Sequence, residues 1–173
     1  NPVSFYGVTK LAVGLLSRQI CKRMGIRFLW FRLLATYGPK DNVGHLIPSV
    51  ILKLLKQAKP ALTWGEQKWD YLYVQDAADA IYRAATTEAE GVFMLGSGKA
   101  YSIRTIVERI RDLIDPSLPL GFGEIPYPSD QTMHLQADIS ELAHGIGWSP
   151  KTSLKQGLQL TVQWYQKQQD EIA

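Results

Sequence analysis

Apolar and polar positions change their spacing several times along the 173-residue chain, and each change marks an element. From about Ser4 to Met24 the residues Leu11, Leu15, Leu16 and Ile20 crowd one side of a helical wheel. Ser4 is suited to cap that helix, Lys22 and Arg23 to its last turn, and Gly25 to its stop. The run IRFLWFRLLATYGP is almost continuously apolar and of strand length, which predicts a strand covered on both faces, as in a parallel sheet. Gly38-Pro39 ends it. The helical spacing returns from Leu46 to Gln57. Two short strands, ALTW and DYLYV, flank the turn GEQK, and Asp76 is expected to cap the helix AADAIYRAAT.

The second half repeats the alternation. GVFMLGSG reads as strand and turn, Ser102 caps a helix to about Ile114, and LPLGFGEIP is extended. Asp138 with Glu141, and Ser153 with Gln156, have the spacing of capping boxes. The first pair predicts a short helix stopping at Gly145, the second a final helix to about Gln168. Helices alternating with single strands argue for an α/β architecture with a parallel sheet.

Composition narrows the function classes. Hydrophobic residues are 46% and charged residues 20%, an ordinary globular mix. The net charge of +3 comes from scattered rather than blocked basic residues, so nucleic acid is not an expected partner. No apolar run approaches the roughly 18 residues of a membrane span. No signal-peptide pattern is visible, and the single cysteine, Cys21, suits a reducing compartment, so a cytoplasmic location is expected. Cys21 reads as a small core residue. His45, His134 and His144 lack metal-ligand spacing, so no metal is expected.

The opening NPVSFYGVTK carries the first candidate chemistry. Tyr6 and Lys10 are four residues apart, hence one turn apart on one helix face. A free tyrosine is a poor acid-base catalyst at neutral pH, and a neighbouring ammonium favours its phenolate. Such a pair can exchange a proton with a substrate hydroxyl or carbonyl while hydride moves to or from a nicotinamide. By itself Y-x-x-x-K is a weak pattern, and a tyrosine packed near a solvated lysine is the commoner meaning.

The blocks downstream add context. PVSFYGVTK, RLLATYGP, LIPSVILKLLKQAKP, WGEQKWDYLYVQDAADAI, VFMLGSGKAYSI, ADISELAHGIGWSP and SLKQGLQLTVQWY follow in order. Together they closely resemble the extended short-chain dehydrogenase/reductase family, the NAD-dependent nucleotide-sugar epimerases and dehydratases, over its C-terminal half. The resemblance implies the C-terminal part of a Rossmann-like doubly wound parallel sheet plus a small α/β substrate-binding region. Residues 1–40 would hold the catalytic helix with the next strand and loop. Residues 41–173 would be mainly substrate-binding, with about 68–95 returning to the sheet. Carried over by position, Tyr6 is the catalytic acid-base, and Lys10 its partner and a ligand of the NAD or NADP ribose. Tyr37 and Gly38 line the nicotinamide side. Asn42 to Leu46, including His45, and the Thr63–Lys68 turn with Trp64 and Lys68 face the nucleotide-sugar. Trp69 and Arg104 adjoin that side. The family also implies a homodimer through the first helix.

The chain departs from the pattern in two ways. It contains no G-x-G-x-x-G phosphate loop and no upstream serine or threonine that would orient substrate; Gly96-Ser97-Gly98 reads as a strand-to-helix turn. Positions that in many relatives carry Asn or Arg against the substrate diphosphate are Ala35, Trp69 and Pro128, and neither tryptophan nor proline imitates a guanidinium fork. Lys68, Lys99 and Arg104 are the cations that could compensate. GEIPYPSDQTMHLQADIS resembles deoxysugar synthases for bacterial surface polysaccharide. The expected chemistry is redox at C4 of a nucleotide-linked hexose, hence epimerisation or ketoreduction. The alternatives are a 4,6-dehydratase and a non-catalytic, truncated or degenerate homologue serving as a folded or oligomerising module. Arg104, Arg109 and Arg111 read as a solvated helix face, Trp30 and Trp164 as core, and Trp148 as turn packing.

Overall fold

The computed structural model describes Pro2 and residues 4–170. Helix α1 (Phe5–Met24) begins where Ser4 Oγ accepts the Gly7 N–H at 3.1 Å. It ends at Gly25, whose φ of 64° is the left-handed conformation of a helix stop. Both ends follow the sequence expectation. Its apolar side, however, is not covered: α1 buries none of its residues, and Leu15, Leu16 and Ile20 are each more than half exposed. Cys21 is half-buried rather than a core residue.

The long apolar run is two strands, not one. β1 (Leu29–Leu33) pairs in parallel with β5 (Gly91–Leu95), and β2 (Ala35–Tyr37) pairs in parallel with β4 (Lys68–Tyr73). The break falls at Leu34, whose N–H still bonds to Leu95 O before the chain leaves for its second partner. Hydrophobic periodicity cannot register a change of partner inside one apolar run.

β4 is the hinge of the molecule. Its first half pairs antiparallel with β6 (Ala100–Ser102) and parallel with β8 (His134–Leu135), and its second half pairs with β2. β6 and β8 are too short and too polar to be read from the sequence. Successive side chains of β4 point to opposite faces. Trp69, Tyr71 and Tyr73 pack into one core with α2 (Leu46–Leu55), α4 (Ile103–Ile114) and α6 (Leu154–Asp170). Leu72 packs into another, with Ala77 and Ala80 of α3 (Val74–Thr86), Phe93 and Leu95 of β5, Leu142 of α5 (Ser140–Ile146), and Trp148. A third parallel ladder joins β3 (Ala61–Leu62) to β7 (Gly121–Phe122).

The caps divide into two groups. Ser102 and Ser153 cap as expected, accepting the N–H groups of Thr105 and Gln156 at 3.1 and 3.2 Å. Asp76 does not cap α3. It lies buried in the first turn, and its Oδ2 accepts the Thr152 N–H at 2.8 Å, tying α3 to the approach of α6. α5 is preceded by Ile139, with Asp138 accepting the Ser140 N–H, and it stops at Gly147 (φ 62°) rather than Gly145. Trp148 is fully buried core, more than turn packing. Trp30 and Trp164 are half-buried.

Candidate active site

Tyr6 and Lys10 stand on one face of the first turns of α1, with Lys10 Nζ 5.5 Å from the centre of the Tyr6 ring. Tyr6 is 73% exposed. Beside the pair opens a cleft of about 550 Å³ between α1 and strands β1 and β5. Gly7, Lys10 and Arg18 line it from the helix, and Trp30, Arg32 and Val92 from the strands. Gly14 allows the close approach that closes its far side, since a Cβ there would lie 3.0 Å from the Trp30 ring. Three cations around an apolar floor give the cleft a positive field. Arg18 and Arg32 were not singled out from the sequence, because nothing in their spacing sets them apart from other scattered cations.

The next candidates lie beyond β2. Tyr37 is buried, its ring edge-on to Tyr71 and Tyr73 and its hydroxyl donating to Leu154 O at 3.5 Å. Burial drives its pKa well above that of a free tyrosine, and the charge of nearby Asp76 adds to this. Its ring therefore belongs to the core. Gly38 sits where a side chain has no room, since a Cβ would fall 2.4 Å from Val74 Cγ1.

The loop 40–45 then turns into α2. Asn42 Oδ1 accepts the Gly44 N–H at 2.9 Å, and Asp41 Oδ1 accepts the Asn42 N–H at 2.7 Å. The same Asp41 oxygen lies 2.8 Å from His45 Nδ1. Leu46 is half-buried against the α2–α4–α6 core. Asp41 escaped the sequence reading. Its signal was the i, i+4 spacing to His45, which reads as a side-chain pair only on a helix, and this segment is a loop.

The Thr63–Lys68 turn is held from both sides. Glu66 N–H donates to Tyr127 Oη, and Gly65 O accepts the Arg104 N–H. Gly65 has φ 73°, and a Cβ there would be 2.8 Å from Arg104 N, so the turn needs glycine on both counts. Trp64 is 55% exposed and rests on Gly123. Lys68 is exposed, whereas Trp69 is half-buried, stacks on Tyr71 and donates its indole N–H to Thr132 O. Arg104 stacks its guanidinium 3.9 Å over Phe122, donates to Trp64 O and reaches Glu108. Its charge is thus engaged in holding the turn. Arg109 lies over the Tyr101 ring and Arg111 pairs with Asp112.

Asp70 anchors this side. It is fully buried on β4, with its two carboxylate oxygens accepting the N–H groups of Ser97, Gly98 and Ala137 and the Ser97 hydroxyl, at 2.6–3.1 Å. Four donors offset its desolvation and fix the 96–98 turn against the segment entering α5. Among the described residues no group of three His, Cys, Asp or Glu side chains could hold a metal ion, and no helix is long and apolar enough to cross a membrane.

Residues 1–96 match the model of the NAD dependent epimerase/dehydratase family. Among curated proteins, dTDP-glucose 4,6-dehydratase 1 of Escherichia coli is 30% identical over 172 residues, covering 95% of this chain and 48% of that protein. UDP-glucuronic acid decarboxylase 3 of Arabidopsis thaliana is 27% identical over 166 residues, 92% of this chain and again 48% of the relative. The chain therefore spans about half the length of the curated relatives it matches. Among solved structures, UDP-glucose 4-epimerase of Thermotoga maritima, crystallised with UDP-glucose, superposes with a TM-score of 0.90 at 22% identity, over 98% of this chain and 55% of that one.

Proposed function

Because the chain belongs to the NAD dependent epimerase/dehydratase family, we propose that it supplies the catalytic helix and the substrate side of an NAD(P)-dependent enzyme acting at C4 of a nucleotide-linked hexose. The observation that carries this reading is the Tyr6–Lys10 pair on one face of α1, with Lys10 also lining a positively charged cleft. A nicotinamide held beside Lys10 would supply the hydride acceptor and donor for C4. Tyr6 Oη takes the C4 hydroxyl proton in the forward direction and gives it back in reverse. Lys10 holds a positive charge beside the Tyr6 ring and offers its remaining donors to the nicotinamide ribose.

The residues that fit the cofactor are limited to this nicotinamide side. The chain has no glycine-rich phosphate cradle, so the reading requires that one come from outside these 173 residues. On the substrate side, this reading assigns the nucleotide-sugar to the loop 42–46 and to Trp64, Lys68, Trp69 and Arg104 by their positions in the family pattern. Redox at C4 is shared by epimerisation and ketoreduction. A 4,6-dehydratase is the second reading, favoured by the 30% identity to the Escherichia coli enzyme.

The test is a chimera in which these 173 residues replace the matched portion of the Escherichia coli dTDP-glucose 4,6-dehydratase 1. Reduced nicotinamide should appear when NAD and a nucleotide-hexose are mixed with it, and Tyr6→Phe should slow that step by about 100-fold or more. Full activity in Tyr6→Phe, or a chimera that binds both ligands without hydride transfer, would sink the proposal.

A further inference from the structure

We propose that the cavity between β4, β6 and the segment entering α6 binds a small sugar phosphate, with the phosphate between Lys99 and Lys151 and the sugar against the rings of Tyr71 and Tyr101. The site shares no lining residue with the cleft beside α1. The proposal does not rest on the C4 chemistry above.

The cavity holds about 240 Å³, room for a ligand of hexose phosphate size. Its two walls are fixed from behind by buried carboxylates. On one side Asp70 Oδ1 accepts the Ser97 N–H at 2.7 Å and the Ser97 hydroxyl at 2.6 Å, and Ser97 Oγ in turn accepts the Lys99 N–H at 3.2 Å. On the other side Asp76 Oδ2 accepts the N–H of Thr152, the residue after Lys151, at 2.8 Å. Both lysines therefore leave backbone whose position the core sets, and little ordering remains for a ligand to impose.

The charge around the cavity is one-sided. None of the residues that line it is acidic. Lys99 has no carboxylate partner among the described residues. Lys151 lies 3.9 Å from Asp79 Oδ2, an oxygen that Arg83 Nε already holds at 3.0 Å. A third cation, the Arg109 guanidinium, lies 5.5 Å from the centre of the Tyr101 ring. Cations gathered on one cavity without an acid favour the entry of an anion. The Ser153 cap and Asp76 occupy the Gln156 and Thr152 N–H groups at the start of α6, so the phosphate is assigned to the lysines and not to the helix end.

The rest of the lining suits a sugar. Tyr71 and Tyr101 are half-buried, and neither hydroxyl has a hydrogen-bond partner among the described residues, whereas those of Tyr37, Tyr127 and Tyr165 do. A tyrosine enclosed to that degree usually finds a partner for its hydroxyl. Ser153 Oγ accepts the Gln156 N–H at 3.2 Å and keeps its own hydrogen to donate. Two aromatic rings with a few placed hydroxyls match the C–H faces and hydroxyl groups of a sugar.

The probe is glucose 1-phosphate, titrated at low salt into the isotope-labelled 173-residue protein and followed by the NMR shifts of its amides. The shifts should saturate and centre on residues 97–101 and 151–154. Lys99→Gln plus Lys151→Gln should weaken binding by about 10-fold or more. Lys22→Gln plus Lys56→Gln, the same loss of charge at exposed positions elsewhere, should not. Tyr101→Phe keeps the ring and removes the hydroxyl, so it should weaken glucose 1-phosphate by about 3-fold and leave inorganic phosphate unchanged. Shifts that do not saturate, shifts centred elsewhere, equal weakening by both lysine pairs, or inorganic phosphate binding as tightly as the ester would overturn the assignment.

Discussion

Asp70 shows how much one buried carboxylate can organise. Its four donors come from two segments that are distant in sequence, the 97–98 turn and Ala137. Asp70→Ala would strand those donors in the core, each at a cost of about 1 kcal/mol or more. We expect a loss of about 3 kcal/mol in urea unfolding with the slope unchanged; a loss below about 1 kcal/mol would show that water can replace the carboxylate. Tyr71 gives a second residue-level expectation. Its hydroxyl is pushed up to about 12 by burial, with Asp41 adding to the shift, whereas an unfolded tyrosine ionises near about 10. Between those values the unfolded chain binds fewer protons than the folded one, so stability falls as pH rises through this window and is unaffected below it. The urea midpoint should therefore drop between about pH 10 and about pH 12, and Tyr71→Phe should reduce that drop. An equally steep drop in the variant would place its origin elsewhere, Tyr37 being the next candidate.

At the scale of elements, α6 separates local preference from tertiary demand. Gly157 lies inside that helix, where alanine would be favoured by about 1 kcal/mol on propensity alone. A Cβ there would lie 2.1 Å from Tyr37 Oη and 2.9 Å from Tyr37 Cζ. Gly157→Ala should therefore destabilise the protein, by about 1–3 kcal/mol, because the buried tyrosine cannot move aside without repacking against Tyr71 and Tyr73. Thermal unfolding decides the sign, and a higher Tm in the variant would mean that the α6–β2 contact yields easily. β1 and β2 carry the complementary lesson. Their residues read as one strand because both are apolar, yet Leu34 divides them between two partners.

Across the whole molecule, α1 is the anomaly. A 20-residue helix with Leu11, Leu15, Leu16 and Ile20 all more than 40% exposed presents an apolar stripe that a solvated surface does not favour. We expect the 173-residue protein to self-associate through it, with Leu15→Glu plus Leu16→Glu restoring a monomer in sedimentation velocity. Association unchanged by both substitutions would move the interface elsewhere. Since the chain lacks a phosphate cradle, calorimetry of this same protein with NAD should find no micromolar binding; such affinity would overturn the need for a loop from outside these residues.

The sequence by itself determined the α/β class, the ends of α1, the Ser102 and Ser153 caps and the family, because each depends on local spacing or on ordered blocks. It also placed Tyr6 and Lys10 together, since one helical turn is enough to do so. Tertiary structure alone decided the rest. It moved Asp76 from cap to interhelical tie, turned Tyr37 into core, engaged Arg104 with Phe122 and Trp64 O, and set Asp41 behind His45. The physical reason is common to these cases. A side chain's role follows from which donors, charges and rings are within a few ångströms, and those neighbours come from distant segments or from loop geometry that no periodicity encodes.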